Sequence, residues 1–161
     1  MGAGRSSPSG PSPVPNAGRS SGVVLAFDFG ERRLGVAVGD LALKISHPLE
    51  TIDAADPGRR FERIAALVAE WRPVLAVVGM PVTVEGSPHA LAPRVRAFCR
   101  QLERRFGLPT ASVDERFTSA EAGERLSAAG VRGRAQKAYL DQVAASAILD
   151  DYFARHDDTD A

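Results

Sequence analysis

Apolar positions along the chain fall into two rhythms, one of strand length and one of helical period. Val23 to Phe29 (VVLAFDF) is a nearly continuous apolar run, the pattern of a strand covered on both faces. Gly30 to Arg33 supplies a turn, Leu34 to Val38 (LGVAV) a second strand, and a third falls near Leu43 to Ser46. Spacing this close predicts antiparallel hairpins. Pro57 then opens a helix to about Trp71, with Phe61, Ile64, Ala65, Leu67 and Val68 on its inner side. Val74 to Gly79 (VLAVVG) reads as a buried strand, about Ala90 to Phe106 as a helix, and Thr110 to Val113 as a short strand. Thr118 to Ala128 is predicted helical, capped by Thr118 or Ser119. A loop with Gly130 and Gly133 precedes a last helix, roughly Lys137 to Ala154.

The order β-β-β-α-β-α-β-α-α predicts an α/β fold. Three antiparallel strands come first, then two strands that run parallel to the first, in one five-stranded mixed sheet with helices on both faces. Strands one and four lie side by side where the chain reverses direction. Ligands favour the carboxyl ends of strands at such a point.

Residues 1–21 are rich in Gly, Ser and Pro and read as a disordered tail. Residues 22–155 are the expected folded domain, and 156–161 an acidic C-terminal tail. Formal net charge is zero, which argues against a protein that grips nucleic acid by overall charge. Asp157, Asp158 and Asp160 in the end segment, and Arg5 and Arg19 in the first, leave the body close to neutral, so any basic surface is local. The single cysteine, Cys99, excludes an internal disulfide and is expected to pack rather than react. No apolar run approaches the roughly 20 residues of a membrane span, and no signal-peptide core is present, so a cytoplasmic protein without membrane contact is expected.

Three acids occupy awkward places. Asp28 stands inside VVLAFDFG, sharing a face with Val24 and Ala26 while Phe27 and Phe29 point the other way. A carboxylate there is costly unless paired, so it is either a hydrogen-bonded structural residue or a metal ligand. Asp141 falls in the apolar sector of the last helix, beside Ala145 and Ile148; Leu140, Val143, Ala144, Ala147, Ile148 and Tyr152 make its broad apolar face. The alternative for Asp141 is a first-turn residue favoured by the helix dipole. Asp114-Glu115-Arg116 ends the last strand, and the pattern does not decide which acid points inward. If both strands are parallel, all three sites converge on one sheet edge. Clustered carboxylates bind protons or cations, and open oxygen sites suit Mg²⁺ or Mn²⁺. Two such ions can activate water and stabilise the leaving oxygen of a phosphodiester. The histidines His47, His89 and His156 are scattered and make no zinc pattern.

The segments LAFDFGERRLGVAVGD (25–40), VVGMPVTVEGSP (77–88), DERFTSAEA (114–122) and LDQVAASAIL (140–149) together resemble the YqgF family, also called RuvX. Its members are Holliday-junction-resolvase-like proteins assigned as nucleases that mature the 5′ end of pre-16S ribosomal RNA. The resemblance runs from Val23 to Phe153 and implies an RNase H-like fold. It places the family's acidic site on Asp28, Glu115 and Asp141, as catalytic residues and metal ligands. Gly79-Met80-Pro81 stands where the family usually has Gly-Leu-Pro, and Thr83-Val84-Glu85-Gly86 where it usually has Asn-x-Asp-Gly.

Arg116, Thr118 and Lys137 are candidate contacts to phosphate or to the acids, and Gly30 and Gly79 let a backbone or phosphate approach. Arg132, Arg134 and Lys137 flank the expected cleft. The series Arg94, Arg96, Arg100, Arg104 and Arg105 reads as a solvated helix face, with RNA contact the lesser reading. The expected function is a metal-dependent nuclease acting on pre-rRNA. A resolvase cutting branched DNA is an alternative, and symmetric cutting would call for a homodimer. A ribosome-assembly factor that binds RNA without cleaving it is a second alternative. An actin-like ATPase is disfavoured, because the chain has neither the length for a duplicated domain nor a second phosphate loop.

Overall fold

Five strands and three helices follow one another along the residues described by a computed structural model, which are 21–116 and 134–160, with side chains for all but 116, 134–135 and 157–160. The expected N-terminal tail to residue 20, the helix expected over Thr118–Ala128 and the Gly130 to Gly133 loop lie outside the described residues. In chain order the elements are β1 (Val23–Phe29), β2 (Arg33–Asp40), β3 (Ile45–Asp53), α1 (Pro57–Trp71), β4 (Leu75–Val82), α2 (Ala92–Phe106), β5 (Thr110–Arg116) and α3 (Arg134–Asp160).

The strands form one sheet in the order β3-β2-β1-β4-β5. β1 pairs antiparallel with β2, and β2 with β3, whereas β1–β4 and β4–β5 are parallel. This is the mixed sheet expected from the element order, three antiparallel strands followed by two that run parallel to the first.

Period-two alternation on β1 divides the core. Leu25 and Phe27 pack with Ile64 and Leu67 of α1 and with Val95, Phe98 and Leu102 of α2. Val24 and Ala26 pack on the other face with Ala145, Ile148, Leu149, Tyr152 and Phe153 of α3. Helices therefore cover both faces, and each fully buried Leu, Val or Phe contributes about 1.5–3 kcal/mol against exposure.

Local chemistry sets the ends of the elements. Asp56 caps α1 by accepting from the Arg59 amide at 3.3 Å, Pro57 fits its first turn, and Arg72 ends it at φ 49°. α2 starts at Ala92, two residues beyond the expected Ala90, and stops at Gly107 with φ 61°.

Four elements differ from their expected extents by three residues or more. The third strand was expected over Leu43 to Ser46, yet 41–44 is a turn. There the Asp40 carboxylate accepts from the amides of Ala42 and Leu43, both at 2.9 Å, and Lys44 takes φ 54°. The strand begins at Ile45 and runs on through Pro48, which its edge position and a register shift opposite Val36/Ala37 accommodate. β4 and β5 both extend three residues beyond their expected ends, to Val82 and Arg116, by continuing to pair with each other. α3 continues to Asp160, past the expected Ala154 and through positions assigned to an acidic tail.

The inner face of α3 is also narrower than the apolar pattern suggested. Ala145, Ile148, Leu149, Tyr152 and Phe153 are buried, while Val143 and Ala147 are exposed. Ser46 of β3 takes the polar side, bonding Ser146 Oγ at 2.7 Å and Asp150 Oδ1 at 2.6 Å. Among the described residues no helix is long and apolar enough to cross a membrane.

Candidate active site

Asp28 is the sixth residue of β1 and faces α3, since it shares the face of Val24 and Ala26. Glu115 reaches the same face by the same alternation. Val113 packs with the α3 cluster, and the residue two further on must follow it. Asp114 therefore points away; it is exposed, and its carbonyl accepts from Arg155 at 3.4 Å. The pleat of β5 chooses between the two acids, which sequence alone left open.

β4 runs between the strands that carry Asp28 and Glu115. Backbones two strands apart are separated by about 10 Å. The position of β4 that faces α3 at this level is Gly79, which puts no side chain between the two acids. A methyl on Gly79 would come within 2.5 Å of Ile148 Cδ1 and 3.4 Å of Glu115 Cγ, so the glycine keeps the gap.

Two adjoining hollows open there. One, of about 240 Å³, is lined by Asp28, Phe29, Gly79, His89, Glu115 and Ile148 among others. The second, of about 250 Å³, is lined by Asp28, Glu115 and Ile148 with Leu140, Val143 and Ala144. The exposed α3 residues that the apolar pattern placed in the core instead form the rim of this hollow.

Electrostatics mark Glu115. Its carboxyl is pushed up to about 7 by burial first, then by the charge of Asp151, by a hydrogen bond with that carboxyl, and last by Asp28; Arg155 opposes the shift. Arg155 itself is bonded to Asp151 at 3.0 Å.

Asp141 is held differently. Its Oδ2 accepts from Arg33 Nε at 2.6 Å, and its backbone lies directly on Gly35, the cross-strand partner of Asp28. Thr51 of β3 donates to the carbonyl of Ala138 and fixes the same end of α3. Asp141 therefore stands on the Asp28 face but lines neither hollow. Among the described residues no three His, Cys, Asp or Glu side chains are gathered so as to hold a metal ion.

The remaining candidates are spread out. Gly30 accepts from Arg60 Nη2 through its carbonyl. Lys137 is half-buried on the first turn of α3. The backbone of Arg116 pairs with Val82, and its side chain is not described; Thr118 and Arg132 lie outside the described residues.

Four contributors escaped the sequence reading: Arg33, Asp151, Ile148 as the wall between the hollows, and His89. His89 Nδ1 accepts from the Leu91 amide at 3.0 Å, so Nε2 is the ring nitrogen left to carry a proton. The loop before it is closed by Thr83, whose Oγ1 accepts from the Ser87 amide at 3.1 Å. No local signal places these residues beside Asp28 and Glu115, because that proximity is set by the packing of distant segments.

The family model for RuvX, described as Holliday junction resolvase, matches residues 22–155. A Methylobacillus flagellatus protein named "Putative pre-16S rRNA nuclease" is 53% identical over 137 residues, covering 85% of this chain and 94% of its own. A Chromobacterium violaceum protein of the same name is 55% identical over 130 residues, covering 80% of this chain and 95% of its own. T. thermophilus RuvC in complex with Holliday junction substrate superposes with a TM-score of 0.48 at 18% identity, covering 83% of this chain and 94% of that one.

Proposed function

We propose, from the premise that this chain belongs to the RuvX family, that it is a nuclease hydrolysing phosphodiesters with Mg²⁺ or Mn²⁺, and that it acts in 5′-end maturation of pre-16S ribosomal RNA. The observation that carries this reading is the convergence of Asp28 and Glu115 from β1 and β5 on one cavity, across the bare Gly79. The RNA substrate is preferred over branched DNA because the relatives at about half identity carry the rRNA-nuclease name.

The donor set fits a hard divalent cation. All the candidate ligand atoms are carboxylate oxygens, and Glu115, raised by burial first and then by the Asp151 carboxylate, sits where a bound cation would favour the charged form. Asp28 and Glu115 would hold it, joined by Asp141 once that carboxylate leaves Arg33. Bound there, the cation would supply activation of the attacking water and stabilisation of charge on the leaving oxygen.

The chain's own residues have distinct tasks. Glu115 carries a proton near neutral pH without a cation and must release it to serve as a ligand. Arg33 holds the Asp141 carboxylate in place until then. Ile148, Leu140 and Val143 make an apolar wall that limits bulk water at the acids. His89 Nε2 can hold a proton at the edge of the same cavity.

The test is cleavage of a labelled pre-16S leader and of a four-way DNA junction, with each cation, by wild type and by Asp28→Asn. RNA cutting that needs the cation and vanishes in the variant, with an unchanged circular dichroism spectrum, is the expected result. Cutting by Asp28→Asn at the wild-type rate would refute the assignment. Cutting of the junction alone would replace the substrate and keep the chemistry.

A further inference from the structure

Across the sheet from the acids lies a further cavity that the mechanism does not use. It has a volume of about 230 Å³ and opens between α1 and α2 at the carboxyl end of β1. Its floor is aromatic: Phe98 has ring centroids 5.3 Å from Phe29 and 5.8 Å from Phe61. Its walls carry two guanidinium groups, Arg60 and Arg94.

Arg60 is an unusual wall residue, only 5% exposed. Its Nε donates to Ala54 O at 2.6 Å and its Nη2 to Gly30 O, so backbone carbonyls take two of its five N–H donors. Its guanidinium lies 5.2 Å over the Phe29 ring. No carboxylate is paired with it among the described residues. Burial and the neighbouring Arg94 both act against its charge. A buried cation without an anionic partner is normally avoided, and here it faces a cavity.

Arg94 has an acid partner, Glu31 at 2.6 Å, but both side chains are more than half exposed. Such a pair is worth little and exchanges readily for another anion. Farther along the aromatic row, Arg105 lies 4.3 Å over the Phe61 ring.

We propose that this groove receives one unpaired nucleotide of the strand being cut, its base against the phenyl and guanidinium surfaces and its phosphate on Arg94 in place of Glu31. This rests on the nuclease reading above. Three observations select the occupant. A flat, electron-rich ring suits a floor of phenyl groups beside a guanidinium plane, the pairing by which unstacked bases are held. Two arginines against one exposed acid favour an anion. Phe29 borders both this groove and the acidic cavity, so a phosphate at Asp28 and Glu115 leaves a neighbouring nucleotide within reach. The volume is below the roughly 300–1,000 Å³ of ordinary ligand pockets, which limits the occupant to one ring system.

Binding without catalysis tests the proposal. A short fluorescein-labelled single-stranded oligoribonucleotide is titrated by anisotropy in chelator, against wild type, Arg94→Gln and Ala97→Leu; the last fills the groove without touching the acids. Ala97→Leu is expected to weaken binding about tenfold. Arg94→Gln is expected to lower the slope of log affinity against log salt by about 0.7, the signature of one lost phosphate contact. Wild-type affinity and slope in both variants, with unchanged unfolding midpoints, would overturn the proposal. So would failure of the wild type to bind the strand. Adenosine 5′-monophosphate bound as tightly as the strand would overturn it in favour of a free nucleotide. Because no cleavage is measured, loss of nuclease activity and loss of the groove are separate results.

Discussion

Gly35→Ala probes the contact on which the placement of Asp141 depends. A methyl at residue 35 would lie 2.0 Å from the Asp141 carbonyl oxygen, 2.5 Å from its carbon and 3.1 Å from its Cβ. Backbone cannot swing aside as a flexible side chain can. Bringing the closest pair to 3.4 Å requires α3 to retreat from β2 by about 1.4 Å. Overpacking of this kind costs about 1–3 kcal/mol. The retreat also moves Asp141 relative to Asp28, which pairs with Gly35 across the β1–β2 ladder. Misplacement by about an ångström costs roughly 100-fold in rate. Urea unfolding should therefore show a destabilisation of about 1–3 kcal/mol. Cleavage at saturating cation should fall by roughly two orders of magnitude in the molecules that remain folded. Gly58→Ala is the control, since the nearest atom to its methyl is 3.4 Å away and belongs to the Asp56 side chain; it should be neutral or slightly stabilising. Wild-type stability in Gly35→Ala would refute the close contact. Full activity in a destabilised Gly35→Ala would refute the role of Asp141 geometry.

Two further outcomes follow from perturbed groups. Native Glu115 keeps its proton up to about 7, against 4.5 ordinarily. The folded state thus binds more protons between those values, and stability falls as pH rises through them. The full shift would amount to about 3 kcal/mol, but the carboxyl is partly exposed and screened, so about 1 kcal/mol is expected. In chelator, Glu115→Gln should be more stable than wild type by that amount at pH 8 and equal to it near pH 4.5; no difference at pH 8 would refute the burial of the Glu115 carboxyl beside Asp151. Cys99 is pushed up to about 11, by burial first and then by Glu103. Iodoacetamide should modify it roughly 100-fold more slowly at pH 8 than an ordinary thiol, with a rate still rising beyond pH 9. A rate that levels off near pH 8.5 would show an exposed thiol instead.

Sequence determined the frame. Continuous apolar runs over 23–29 and 74–79, and the helical period over 57–71, can be satisfied only by buried strands and a packed helix, so the order of elements followed from local pattern. Parallel pairing of β4 with β1 followed from the helix between them. The anomaly of Asp28 was equally local, since alternation alone placed it on the face of Val24 and Ala26. RuvX membership was legible too, because the four motif segments occur in order.

Tertiary structure decided what depends on two segments meeting. The turn at 41–44 is the exception, since the Asp40 carboxylate bonds amides only two and three residues ahead and so displaced the third strand by local chemistry. The choice of Glu115 over Asp114 needed the phase of β5, and the pairing of Asp141 with Arg33 needed α3 laid on Gly35. Val143 and Ala147 read as core because periodicity reports apolar residues and not the width of sheet available to cover them. The hydrophobic pattern is a property of one segment and can be read from it; a site is a property of the distances between segments, which only packing sets.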